Sequence, residues 1–319
     1  MWLQALLFSI GIGLLYFGAE WLVRGAASLA LRYGIRPLVV GLTVVALGTS
    51  MPEFVINFLA VLRNEDSLAL GNIVGSNIAN IALILGTTAL VLPIGIAPNT
   101  LRKEYPVMMG VMVLFYGLSW DGVIGTADGI ILVFLLVSLL IFLVLDARRS
   151  GGPDGSLGEL DEIDAESNLA WRKKVVFLGG GMIMLASGAR LMVSSAVNVA
   201  ESYGVSTAVI GLTVMALGTS LPELAASLVS AVNDESAISL GNVLGSNMLN
   251  MLFVVGLVSL VHPLQVDTLS LSTHLPVMLG FGALLFPLAW TGYRITRMEG
   301  FVMLIAFLGY MAYLIQPHL

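Results

Sequence analysis

The thirteen residues GLTVVALGTSMPE at 41–53 return as GLTVMALGTSLPE at 211–223, 170 positions later. The register holds without a gap from Gly41–Gly86 to Gly211–Gly256. Of those 46 positions 20 are identical, among them GLTV, ALGTS, PE, LGN and GSN. The same offset aligns Gly18-Ala19 with Gly188-Ala189, Tyr33-Gly34 with Tyr203-Gly204, Pro93 with Pro263, Pro106 with Pro276 and Trp120 with Trp290. Such self-similarity marks two copies of one structural unit. Each copy places a Glu directly after a Pro within an apolar stretch, and any fold of this chain has to accommodate both.

The apolar stretches define the solvent. Hydrophobic residues make up 58% of the 319 residues and charged residues only 11%, with mean hydropathy +0.97. A soluble domain is about half apolar and about a quarter charged. This chain cannot cover its surface with polar groups, so lipid is its solvent. A spanning helix needs about 20 mostly apolar residues. Windows of that kind lie near 2–31, 37–63, 68–93, 103–119, 122–145, 171–202, 207–232, 238–262, 272–290 and 297–316. The first begins without a basic region or a small-residue cleavage site, and is expected to be a retained membrane helix rather than a signal peptide. The expected fold is therefore an all-α membrane protein of about ten transmembrane helices. Residues 1–145 form one five-helix repeat, 146–170 an acidic linker and 171–319 the second repeat. An odd number of helices per unit makes the second copy enter from the opposite side, giving inverted-topology repeats.

Loop charges orient the chain. With the linker cytoplasmic, Arg32, Arg36, Arg102, Lys103, Arg148, Arg149, Arg172, Lys173, Lys174, Arg294 and Arg297 all fall inside, and Arg63 alone falls outside. That is the positive-inside pattern, and it puts both termini outside. The expected location is a prokaryotic inner membrane. The linker carries Asp146, Asp154, Glu159, Asp161, Glu162, Asp164 and Glu166 among Gly and Ser. It lacks the ligand order of an EF-hand and reads as a solvated tether. The chain has no Cys, its His262, His274 and His318 have no ligand-like spacing, and its net charge of −6 argues against a nucleic-acid partner.

The repeated motif carries the chemistry. Pro52 has no amide hydrogen to donate and clashes with the preceding turn, so the helix is expected to break near Gly48 and leave carbonyl oxygens unpaired. Lipid does not tolerate such a break unless it lines a polar cavity or is buried in protein. Thr49 and Glu53 are four residues apart and share a face, with Ser50 beside them. Thr219, Ser220 and Glu223 repeat the set. The following helices add GNIVGSNIAN at 71–80 and GNVLGSNMLN at 241–250, which place Ser76 with Asn80, and Ser246 with Asn250, at the same spacing. All these donors are oxygens. Two carboxylates with neutral oxygens suit a hard cation such as Ca2+ and balance its charge, whereas a soft transition metal would require His or Cys.

Blander explanations exist for single members of this set. One membrane Glu can be a structural hydrogen bonder, and Asn77 and Asn247 can be interhelical glue. Packing alone does not require a Glu after both Pro residues. Arg24 and Arg190 are the bases within helices and either could pair with a motif Glu, or Arg190 with Glu20. Glu20 and Asp128 have no matching acid in the other half and read as structural.

GTS-x-PE followed by GNxxGSNxxN, twice, resembles the two α-repeats of the sodium/calcium exchanger family, and the resemblance extends over the whole chain. It implies a secondary antiporter, not an enzyme, that exchanges Na+ for Ca2+ by alternating access and expels Ca2+, with helices 1 and 6 sliding across the core. It implies central ligands at Glu53, Asn80, Glu223 and Asn250, and flanking ligands at Thr49, Ser50, Ser76, Thr219, Ser220 and Ser246. Backbone carbonyls at Ala46 and Ala216 complete the set, where helix geometry alone pointed to Gly48 and Gly218. Some members carry Asp where this chain has Asn250, and Asn argues against K+ cotransport. The transported ions and the bilayer are the expected partners, with no cofactor and no obligatory protein partner. A Ca2+/H+ antiporter is the alternative, in which a Glu carries the proton.

Overall fold

The computed structural model describes residues 2–149, 171–203 and 216–315. Most of the acidic linker, and residues 204–215 with Gly211–Met215 of the second motif, lie outside the described residues. The chain is almost entirely helical. In order it contains α1 (Trp2–Tyr33), α2 (Pro37–Thr49), α3 (Met51–Leu62), α4 (Asp66–Val91), β1 (Ile94–Gly95), α5 (Pro98–Arg102), α6 (Glu104–Leu118), β2 (Val123–Ile124) and α7 (Thr126–Arg149). After the linker come α8 (Trp171–Ser202), α9 (Ala216–Thr219), α10 (Leu221–Val232), α11 (Ser236–Val261), β3 (Leu264–Gln265), α12 (Ser270–Trp290), β4 (Arg294–Ile295) and α13 (Arg297–Ile315).

Among the described residues seven helices are long and apolar enough to cross a membrane, and the bent pair α2–α3 makes eight. Two expected spans fall short of that test. The fourth, expected over 103–119, is the 15-residue α6, and of the seventh, expected over 207–232, residues 207–215 lie outside the described residues. The strands are a departure from the all-α expectation. They are two-residue pairs, β1 with β4 and β2 with β3, each joining one half of the chain to the other. Ile94, Ile295, Ile124 and Leu264 are buried within them.

Burial separates the helices into two groups. The apolar windows of α4 and α11 are 72% and 83% buried, against 17–33% for the other unbroken spans. The helices that carry GNxxGSNxxN are thus the centre of the molecule. Ile73, Ile78, Ile81 and Ile84 pack there with Val243, Leu244, Val254 and Val255. Each of these helices has 26 residues and is about 39 Å long at about 1.5 Å per residue, enough to span the bilayer.

Lipid offers little hydrophobic force between helices, so their association depends on close packing at small residues. Gly41 of α2 lies against the backbone of α11, where a Cβ would fall 2.5 Å from the carbonyl of Ile238. Gly241 and Gly245 return the contact onto Leu38 and Leu42. On the outside α1 and α8 run antiparallel. Gly11 meets Gly188 and Gly18 meets Gly181, where a Cβ on any of the four would sit 2.7–3.0 Å from a carbonyl of the other helix.

Charges close one end of the first half. Arg36, ahead of α2, donates through Nη2 to Glu104 Oε1 at 2.8 Å and to Asp146 Oδ2 at 2.9 Å, and Lys103 Nζ reaches Asp146 Oδ1 at 3.0 Å. Asp146, grouped above with the linker, therefore belongs to α7 and holds it against α2 and α6.

The close contact of α2 with α11 predicts that Gly245→Val, by overpacking, destabilises the protein by about 1–3 kcal/mol. A lowered Tm of the detergent-purified protein checks this. Gly110→Ala, with nothing within 4 Å of its new Cβ and in a helix interior where Ala is favoured over Gly, does not lower Tm.

Candidate functional site

The expected break at the first motif is present. The axes of α2 and α3 differ by 46°. Ser50 between them has left the helical conformation at φ −84°, ψ 3°, and Ser220 matches it at φ −89°, ψ 4°. Pro52 and Pro222 occupy the first turn of α3 and α10, where a missing N–H costs nothing. Each Pro thus starts a new helix instead of kinking an old one. Glu53 and Glu223 consequently lie in the first turn of their helices, where unpaired backbone N–H groups and the helix dipole favour negative charge.

The break does not leave every nearby carbonyl free. Ala46 O accepts the Ser50 N–H at 2.9 Å and so is engaged in this conformation, and it lies 3.3 Å from the Thr49 hydroxyl as a second, longer acceptor beside Asn242. Ala216 opens α9, and its side chain lies outside the described residues. The Ser220 N–H donates to Leu217 O at 3.2 Å.

The motif side chains meet in one buried region. Glu53, Glu223, Asn80, Asn250, Thr49, Ser50, Ser76, Ser220 and Ser246 are each at most 2% exposed, so this conformation is closed to solvent. Thr219 is partly exposed. The two halves interlock across the region. Ser50 Oγ donates to Glu223 Oε1 at 3.2 Å, so the first motif touches the carboxylate of the second. Asn80 and Asn250 each open a π-helical stretch, Asn80–Leu85 and Asn250–Val255, a widened turn common at functional sites.

Many of these groups have no hydrogen-bond partner among the described residues. They include both oxygens of Glu53, Oε2 of Glu223, the hydroxyls of Ser76, Ser220 and Ser246, both polar atoms of Asn80 and Oδ1 of Asn250. Buried polar atoms are normally paired, and each unpaired one costs about 1–3 kcal/mol. Most of these atoms are oxygens, whose lone pairs a cation would satisfy. Among the described residues no three His, Cys, Asp or Glu side chains come together. The charge therefore comes from two carboxylates, and the remaining donors are neutral oxygens, as suits a hard cation.

Several expectations about neighbouring groups change. Arg24 pairs with Glu20 one turn away on α1, not with a motif Glu. Asn77 and Asn247 form no interhelical glue among the described residues. Asn77 has no partner there, and Asn247 donates to Val243 O on its own helix at 2.9 Å. Asp128 is structural, accepting the Gly125 N–H at 2.8 Å and so capping α7.

Sequence reasoning passes over Asn72 and Asn242. Thr49 Oγ1 donates to Asn242 Oδ1 at 3.1 Å, and Thr219 Oγ1 donates to Asn72 Oδ1 at 3.3 Å. A signal is present, because Asn72, Ser76 and Asn80 follow one another at four-residue steps, as do Asn242, Ser246 and Asn250.

A sequence model of the family described as "Sodium/calcium exchanger protein" matches residues 3–145 and 173–316. The chain belongs to the sodium/calcium exchanger family. It is 37% identical over 293 residues to the inner membrane protein YrbG of Escherichia coli, covering 91% of this chain and 90% of that one. It is 29% identical over 341 residues to the sodium/calcium exchanger MaX1 of Methanosarcina acetivorans, covering 97% of both. A solved structure of the sodium-calcium exchanger NCX_Mj, soaked with Na+ and Ca2+, superimposes with a TM-score of 0.82 at 30% identity, covering 97% of this chain and 98% of that one. Family membership together with the apolar helices makes this exchanger-family chain an integral membrane protein.

The burial of the Glu53 carboxylate without a hydrogen-bond partner among the described residues predicts that Glu53→Gln stabilises the protein in Na+-free buffer with a chelator, by on the order of 1–3 kcal/mol. Thermal melting checks this through a raised Tm, and an equal or lower Tm contradicts a cost of burying that charge.

Proposed function

We propose that the chain is a Na+/Ca2+ antiporter that expels Ca2+ by alternating access, with the two motifs forming one cation site. The observation that carries this reading is the buried pair Glu53 and Glu223, surrounded by unpaired oxygens, in a chain of the exchanger family. Two buried carboxylates with no basic partner among the described residues are costly, and a cation taken from water relieves the cost. Glu53, Glu223, Asn80 and Asn250 are the central ligands. Thr49, Ser50, Ser76, Thr219, Ser220 and Ser246 flank them. The carbonyl of Ala46 joins once its present hydrogen bond is exchanged for the ion, and the carbonyl of Ala216 completes the set. One Ca2+ and several Na+ compete for these oxygens, and that competition couples the two fluxes.

Ten helices in two inverted five-helix repeats supply the alternation. Three observations support this. The family sequence model matches each half, the break and the π-helical turn recur at the 170-residue offset, and each strand pair joins one half to the other. The same helix count and the loop charges put the linker in the cytoplasm and both termini outside. The glycine-to-glycine contact lets α1 and α8 move as a unit across the core.

A second reading is Ca2+/H+ exchange, favoured by the same carboxylates, since either can carry a proton. Radiolabelled Ca2+ uptake into proteoliposomes separates the two. Uptake that requires internal Na+ and is absent from K+-loaded vesicles at equal pH supports Na+ coupling. Uptake driven by an imposed pH gradient, indifferent to Na+, supports proton coupling. Glu53→Ala and Glu223→Ala are each expected to abolish exchange while the protein still purifies as a folded species, and normal exchange in either variant would falsify the assigned site.

A further inference from the structure

We infer that Asn72 and Asn242 are positioning residues that set the hydroxyl direction of the threonine in the opposite half. The inference deepens the exchanger reading and rests on it. The two asparagines occupy matched places, 170 residues apart, and each makes the same kind of bond across the halves. Asn242 receives the Thr49 hydroxyl on Oδ1 and donates through Nδ2 to Glu223 O at 3.2 Å and to Ser227 Oγ at 2.9 Å. Asn72 receives the Thr219 hydroxyl on Oδ1 and donates through Nδ2 to Asn57 Oδ1 at 3.3 Å. Asn57, which aligns with Ser227 at the same offset, donates in turn to Glu53 O at 2.7 Å. In both directions the chain of bonds runs from a threonine of one half to the backbone of the motif Glu in the other.

The chemistry requires an amide. A carboxamide accepts at one end and donates at the other, so its donor end fixes which way its acceptor end points. A threonine hydroxyl has one proton and two lone pairs. When the proton is committed to Asn Oδ1, the lone pairs remain for a cation. Without the nearer acceptor on Asn242, the Thr49 hydroxyl would turn its proton toward Ala46 O, 3.3 Å away, or toward the motif carboxylates, and a proton aimed into the site opposes a cation. Asn242 is fully buried, so no water replaces its Oδ1 as the acceptor for Thr49.

A double-mutant cycle tests the inference, read as Ca2+ affinity of the detergent-purified full chain, a quantity independent of the coupling ion. Asn242→Ala is expected to weaken Ca2+ binding roughly tenfold, the size of one charge-assisted hydrogen bond. Placed on a Thr49→Val background, the same substitution should weaken binding less than about twofold, because the hydroxyl it orients is gone. Equal weakening on both backgrounds means a structural role and overturns the inference, as does unchanged affinity in Asn242→Ala. If Asn242→Ala does not fold, Asn72→Ala on wild-type and Thr219→Val backgrounds decides the question by the same comparison. A wild-type chain that binds no Ca2+ overturns the exchanger reading and this inference with it, whereas a wild type that binds Ca2+ with an additive cycle overturns only the inference.

Discussion

Two buried carboxylates with no basic partner among the described residues set the terms for the rest of the structure. Moving one charge from water into protein costs several kcal/mol, and two like charges cost more. Among the described residues no Arg or Lys forms an ion pair with Glu53 or Glu223, and Arg24 is engaged with Glu20 on its own helix. The fold lowers the cost in two ways. It breaks the motif helices so that each Glu starts a new helix, at the end where backbone N–H groups and the dipole favour an anion. It also surrounds the pair with oxygens that have little else to bind. Both devices leave the region without a formal positive charge, which on the proposed reading a mobile cation supplies.

The repetition of the sequence follows from the same constraint. A site for a small ion between two helix breaks needs ligands from both sides, and a unit whose break is lined by oxygens provides half of it. The two units then have to meet closely. Gly41, Gly241 and Gly245 let α2 and α11 touch backbone to backbone, and Ser50, Thr49 and Thr219 reach across to the opposite half. The short strand pairs hold the halves together again at Ile94 with Ile295 and at Ile124 with Leu264. The interior is consequently tightly packed around a polar centre, while the helices around it are apolar and exposed to lipid.

The helices and their breaks are legible in the sequence because they depend on local properties. Apolar length marks a span, and Pro52 and Pro222 mark new helix starts whatever surrounds them. The inventory of oxygens is legible for the same reason, since Thr49, Ser50 and Glu53 lie on neighbouring turns. What is not legible depends on partners distant in sequence. The bond from Thr49 to Asn242 spans 193 residues, and no spacing rule announces it. Asn72 and Asn242 stand inside the repeated motif, but the glycines beside them suggest a packing surface and give no hint of a partner in the other half. The π-helical turns at Asn80 and Asn250 look like ordinary helix in sequence, because the residues there have no feature that breaks one. The reverse holds at Asn77 and Asn247, where polar residues in a membrane helix suggest interhelical bonds that the described residues do not make.

The central claim is that one set of oxygens binds both ions in turn. Displacement of radiolabelled Ca2+ from the purified protein by Na+ tests it most directly. The account predicts that rising Na+ weakens Ca2+ binding steeply, with more than one Na+ displacing each Ca2+, and that K+ at the same ionic strength does not. Ca2+ binding that is indifferent to Na+ would contradict a shared site.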